Sequence, residues 1–225
     1  MATLNEITYS IKNQLSGYVI TDDNRLDDAF IQHEIKQYRS TLIKEMYRDT
    51  KRLDSALYQF CYCLKVTCDT VICDGNVAEA KIDYVEVPPL EGSIGWENVK
   101  YFGSLDDATP YYRRTYEGLT YSSDGQYTAN MPQYSVIGGK AYFTKLVSPS
   151  VKYMKMLAIL EDPLKCRKEG CSSITPDDPY PVPSAMLAKL EMLVMKQISQ
   201  GLSIPPDVKN DAEGVVYQEQ PVKRE

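Results

Sequence analysis

Six cysteines are the residues of this chain best able to do chemistry. Cys61 and Cys63 are followed by Cys68 and Cys73, and Cys166 with Cys171 repeats the four-residue gap much later in the chain. Thiolates at such positions can hold zinc, although structural zinc knuckles usually place their ligands roughly two to four residues apart. They can also form disulfides in an oxidising compartment. The plainest reading is reduced, half-buried thiols that pack as small hydrophobes. All three states stay open, and no metal is assigned. The single histidine, His33, stands between Gln32 and Glu34 in a helical pattern, with no serine or cysteine nucleophile motif beside it. The acid pairs Asp22-Asp23, Asp27-Asp28, Asp106-Asp107 and Asp177-Asp178 fall in turns or first helical turns, where carboxylates are commonplace. Gly138-Gly139 cradles no phosphate, since no helix pattern follows it, and no Walker or dinucleotide fingerprint occurs. No catalytic, cofactor-binding or metal residue is nominated, and no cofactor is expected.

The elements that would position such residues read as two helices, a β-rich middle and a third helix. Thr3 and Glu6 form a capping box, after which Leu4, Ile7, Ile11, Leu15 and Tyr18 make a stripe that ends near Gly17. A turn at Thr21-Asp22-Asp23-Asn24 supplies the next cap. Ile31, Ile35, Tyr38, Leu42 and Met46 then form a second stripe, with Lys36, Arg39, Lys44 and Arg48 on other faces. The third helix is the element around which the chain is organised. The approach Asp177–Pro183 is too proline-rich to be helical, Ser184 stands where an N-cap belongs, and Met186, Leu187, Leu190, Leu193, Val194 and Ile198 share one face. Gly201 and Pro205-Pro206 end it.

Between the second and third helices the period changes to that of strands. Tyr62–Val66, Glu79–Val87, Trp96–Phe102 and Val151–Leu160 are β-rich, the last with its methionines on one side. Tyr134–Ile137, Gly138-Gly139 and Lys140–Thr144 form a hairpin with a two-residue primed turn. Asp106–Tyr112 and Tyr121–Gln126 read as loop tips. The expected fold is α+β: a small helical bundle, with two N-terminal helices and one C-terminal helix, an inserted antiparallel β domain and an extended C-terminal arm. The divisions are 1–60, 61–165, 166–202 (proline-rich loop and last helix) and 203–225 (arm).

Charge narrows the partners. Acidic residues number 31 against 25 basic ones, a formal net charge of −6, which argues against a grip on nucleic-acid phosphates. No apolar run approaches the ~18 residues of a membrane span, so no membrane partner and a cytosol-like compartment are expected. Eighteen tyrosines against four phenylalanines and one tryptophan suit sheet surfaces and subunit contacts.

Leu4-Asn5-Glu6-Ile7, then Ile35-Lys36-Gln37-Tyr38-Arg39 and Leu42-Ile43-Lys44, resemble the opening of a structural protein family of crAss-like podophages. Leu160-Glu161-Asp162-Pro163 and Tyr180-Pro181-Val182-Pro183-Ser184-Ala185-Met186 are similar to its C-terminal signature, and Pro205-Pro206-Asp207-Val208-Lys209-Asn210-Asp211 to its tail. The resemblance covers both ends of the chain, and the β region only in length and punctuation. It implies a head–tail connector or neck ring protein of the virion, made in the host cytoplasm and forming a homo-oligomeric ring of twelve copies. Its neighbours would be the portal protein or other neck and tail rings. Packaged DNA would pass through without sequence-specific binding, and no enzymatic activity is implied. Composition alone equally allows a soluble binding module or an assembly chaperone that does not stay in the particle.

Overall fold

A computed structural model describes residues 1–15, 27–71, 80–106, 109–122, 131–143 and 151–202. Among these it has four helices and one seven-stranded sheet, a mixed α/β architecture. Helix α1 spans Leu4–Leu15, and its capping box closes both ways: the Glu6 carboxylate accepts from Thr3 N–H at 2.9 Å and Thr3 Oγ1 accepts from Glu6 N–H at 3.1 Å. Helix α2 spans Asp28–Thr50 and is capped by Asp27, whose side chain accepts from Ala29 N–H. The expected cap at 21–24, with Tyr18 and Gly17, lies outside the described residues.

Strands β1 (Gln59–Val71), β2 (Ala80–Glu86), β3 (Val99–Ser104) and β4 (Tyr112–Arg113) follow. Next come a short helix α3 (Tyr116–Ser122), strands β5 (Gln133–Ile137), β6 (Lys140–Phe143) and β7 (Tyr153–Ala158), and helix α4 (Ser184–Leu202). The strand order is β3-β7-β1-β2-β6-β5-β4. β1 is long enough to serve two neighbours. Its first half pairs antiparallel with β7 and its second half with β2, from Val66↔Val85 to Val71↔Ala80. A bulge between Cys61 and Leu64 interrupts the half that pairs with β7, before the pairing with β2 begins at Val66. The β5–β6 hairpin turns through Gly138 (φ 57°) and Gly139 (φ 76°), with Ile137 opposite Lys140, which is the primed turn expected from the two glycines.

The sheet then rolls up. The strap Thr109–Arg113 bonds β3 on one side, through Tyr111 N–H to Phe102 O at 2.8 Å and Ser104 N–H to Thr109 O at 3.2 Å. On its other side Tyr112 N–H reaches Pro132 O at 3.0 Å, and Tyr112–Arg113 pairs with β5. One strap therefore joins the two edges of the sheet, covering the Phe102–Ser104 end of β3 and the Gln133-Tyr134 end of β5. This corrects two expectations. The sheet carries one parallel pair, β4 with β5, and Asp106–Tyr112 is in part this strap. Gly103 is what lets the strap approach, because a Cβ there would stand 2.7 Å from the Thr109 carbonyl oxygen and would collide with the Tyr101 hydroxyl. Inside, Phe102, Tyr134, Ala141, Met154, Met156 and Leu160 form an apolar core, with the Phe102 and Tyr134 rings stacked 4.8 Å apart. Met154 and Met156 do share one buried side of β7.

A second core lies under the helices. Leu4, Ile7 and Ile11 of α1, Ile31, Ile35, Leu42 and Ile43 of α2, and Met186, Leu190, Val194 and Ile198 of α4 belong to one buried cluster. Three further expectations are corrected. Trp96 belongs to the 3-10 segment Gly92–Asn98, ahead of β3. Ser184 is the first helical residue rather than the cap, because Pro183 O already accepts from Met186 and Leu187 N–H at 2.9 and 3.2 Å. Arg39 is fully buried, not on an outer face. It lies four residues after Ile35 and three before Leu42, and so on the stripe itself. Its Nε donates to Pro181 O at 3.1 Å and its Nη1 to Leu160 O at 2.8 Å, joining α2 to the exit of β7 and to the proline run before α4. Burial pushes this guanidinium below its ordinary value, against Tyr180, Glu91 and Asp162, which favour the charge. Lys36 with Asp162 at 3.1 Å and Ser40 with Glu91 add polar ties at the same junction.

Candidate subunit interface

Each described carboxylate of the acid pairs makes a structural bond. Asp27 caps α2, and Asp28 pairs with Lys12 at 2.9 Å. Asp106 accepts from the Ser104 hydroxyl, Asp177 accepts from Asn5 Nδ2 at 2.6 Å, and Asp178 binds Lys168 at 2.9 Å and Thr175 N–H at 2.8 Å. The Lys168 ammonium and the Thr175 donors hold the Asp178 carboxyl down at about 2. Asp22, Asp23 and Asp107 lie outside the described residues. His33 borders a shallow pocket of about 200 Å³ with Lys36, Ser40, Glu161, Asp162 and Lys165. Nothing there pairs with it as nucleophile or base. The cysteines divide differently from the reduced-thiol reading: Cys61 is bonded to Cys166 and Cys63 to Cys171. Cys68 is exposed and in neither bridge, and Cys73 lies outside the described residues. No group of three or more metal-ligating side chains occurs among the described residues.

One patch combines the residue types that anchor interfaces. Trp96 is 54% exposed and Tyr116 58%, with Ile137 and Tyr112 also exposed. The Arg113 guanidinium lies 4.8 Å from the centre of the Trp96 ring. The same side chain donates to Asn98 Oδ1 at 2.6 Å and to the Trp96 carbonyl at 3.3 Å, so the pair is held before any partner arrives. Trp96, Arg113, Tyr116 and Ile137 line a groove of about 370 Å³. Exposed tryptophan, tyrosine and arginine set around a groove is the composition of a binding hot spot, and its rigidity lowers the cost of ordering side chains on contact. A lesser aromatic pair lies on β1, where the Phe60 and Tyr62 rings are tilted 5.7 Å apart beside the buried Lys155 of β7.

The sequence hides the first patch because its members come from the segment before β3, the strap, α3 and the end of β5. The usable signal was the lone tryptophan, placed beside Gly95 (φ 58°) in a tight, non-repetitive segment. No helix among the described residues is long and apolar enough to cross a membrane. No curated protein is significantly similar to the chain. A family model described as CrAss_Ring_2, phage tail ring protein 2, matches residues 6–220, nearly the whole length. The chain therefore belongs to the tail ring protein 2 family of crAss-like phages.

Proposed function

We propose that the chain is a structural, non-catalytic subunit of a closed ring of twelve copies in the neck between portal and tail, surrounding the channel through which packaged DNA leaves. The family match over residues 6–220 carries this reading. Two properties of the molecule support it. The strap covers part of both sheet edges, so on this reading a copy meets its neighbours chiefly through side-chain surfaces. The Trp96–Arg113–Tyr116 groove offers such a surface. A ring closes through two different patches meeting head to tail, so this groove is one half of each contact and a different face of the next copy is the other.

On this reading residues 1–60 and 166–202 form a helical bundle around their shared core, and 61–165 is an inserted β domain with a core of its own. Residues 203–225 lie outside the described residues, and on this reading they are an arm that rests on an adjacent subunit or ring. Twelve copies at −6 each bring about −72 formal charges, which repel rather than hold a duplex with one negative charge per ~1.7 Å of axis. The wall is then a conduit along which DNA slides.

The experiment is native mass spectrometry of the full chain beside Trp96→Ala combined with Tyr116→Ala. The wild type gives closed oligomers and the double variant falls to smaller species with an unchanged far-ultraviolet spectrum. Oligomers unaffected by the double substitution would remove the groove from the ring contact. A chain found free in lysates yet missing from particles would favour an assembly chaperone.

A further inference from the structure

The four bridged cysteines lie away from the Trp96 groove and have no part in it. Cys61 stands at the start of the bulge of β1 and Cys63 lies within it, and their partners Cys166 and Cys171 belong to the segment leading from β7 to α4. The Cα–Cα separations are 5.2 Å for Cys61–Cys166 and 5.4 Å for Cys63–Cys171, inside the range a disulfide requires. The backbone is shaped for the second bridge. Only three described non-glycine residues have positive φ, and two of them are Cys63 at 57° and Cys171 at 65°. A side chain with a Cβ disfavours that region, and it persists where the surroundings over-determine it. Those surroundings are backbone bonds: Tyr62 N–H to Arg167 O at 2.9 Å, Cys171 N–H to Lys168 O at 3.0 Å and Ile174 N–H to Cys166 O at 3.3 Å. The two segments are thus joined by backbone hydrogen bonds as well as by sulfur.

The two bridges differ in access. Cys61 and Cys166 are 1% and 2% exposed, whereas Cys171 is exposed and meets solvent directly. We propose that they form an oxidation-dependent clamp: the chain folds and assembles as dithiols in the reducing cytosol, and the clamp closes when the particle meets low-molecular-weight disulfides outside the cell. This rests on the virion location of the family. In each closure one cysteine thiolate attacks a sulfur of the external disulfide, breaking its S–S bond and expelling one small thiol. The partner cysteine then attacks the mixed disulfide and expels the second. Two protein thiols are oxidised to one disulfide, the reagent is reduced to two thiols, and the two protons leave with them. The Cys63–Cys171 bridge closes first, with Cys171 as its nucleophile and Cys63 as the resolving partner. The Cys61–Cys166 bridge closes more slowly, because its thiols are reached only when the segment opens. Closed, the bridges span 105 and 108 residues of sequence and tie the segment that leads to α4 onto the sheet, where Cys61 and Cys166 both belong to the sheet core.

The test uses the full chain and a Cys68→Ser, Cys73→Ser version that leaves only these four thiols. Each is incubated with oxidised glutathione or with dithiothreitol, mapped by non-reducing peptide mass spectrometry and melted. We expect the Cys61–Cys166 and Cys63–Cys171 linkages, and a melting temperature higher by on the order of 10 °C in the oxidised form. Adding Cys63→Ser and Cys171→Ser should remove part of that gain and keep the other linkage. Other pairings, or these pairings with no change in melting, overturn the clamp. So does a reduced chain that retains zinc in native spectra and resists glutathione. The readout needs no assembly, so its failure leaves the ring reading standing, and a failed ring experiment leaves the clamp standing.

Discussion

Arg39→Met tests the junction between the helices and the sheet most sharply. Methionine keeps most of the aliphatic length and removes the guanidinium. Two buried hydrogen bonds go with it, to Leu160 O at 2.8 Å and Pro181 O at 3.1 Å. Hydrogen bonds to a charged donor contribute about 1.5–3 kcal/mol each net, and the two carbonyls are left without that donor, so the expected loss is about 3–6 kcal/mol. Against a total stability of about 5–15 kcal/mol that is a large fraction. Urea unfolding followed by circular dichroism and tyrosine fluorescence should show a lower midpoint. It should also show a broadened or split transition, since Arg39 ties α2 to both the end of β7 and the start of α4. Lys36→Met is the control: its pair with Asp162 is partly exposed, at 27% and 21%, and should cost no more than about 1 kcal/mol. If Arg39→Met unfolds within about 1 kcal/mol of the wild type in a single transition, the buried arginine is not what joins the two cores.

Leu190→Ala, at a fully buried position of α4, should cost about 2–5 kcal/mol in the same assay, and an unchanged midpoint would place Leu190 outside the helical core. Gly103→Ala should cost about 1–3 kcal/mol by driving the strap away from β3, visible as faster amide exchange at Tyr111; unchanged exchange would show that the strap has room for a methyl group. The Asp178 carboxyl is held at about 2, below its ordinary 3.8, so its stabilising contribution is present above about pH 4 and is lost as pH falls from there towards 2. Asp178→Asn should therefore flatten the acid limb of the stability curve in that window, and an unaltered limb would refute the assignment. Deleting 203–225 should leave the melting temperature nearly unchanged and weaken assembly; equal assembly by the truncated chain would leave the arm without a role.

Local features were readable from the sequence because their causes are local. The Thr3–Glu6 box, the Gly138-Gly139 turn and the stripes of α1, α2 and α4 depend on neighbours a few residues away, and the structure forms each of them. Distant pairings left no such trace. That β1 takes β7 as a partner, that the strap reaches β5, and that Cys61 meets Cys166 are settled by contacts far apart in the sequence. Arg39 was legible and misread. Its spacing from Ile35 and Leu42 put it on the buried stripe, but its charge argued for an outer face, and two backbone carbonyls from far along the chain supply the partners that make burial tolerable. The Trp96 patch was illegible for a related reason, since four separate segments contribute to it.

The central claim is that the chain is a ring subunit of the virion, and the most direct measurement is its copy number in purified particles, by quantitative peptide mass spectrometry against the portal protein. The account predicts one copy per portal subunit, twelve chains of 25.5 kDa or about 306 kDa per particle. Absence from the particle, or a ratio well below one, would contradict it.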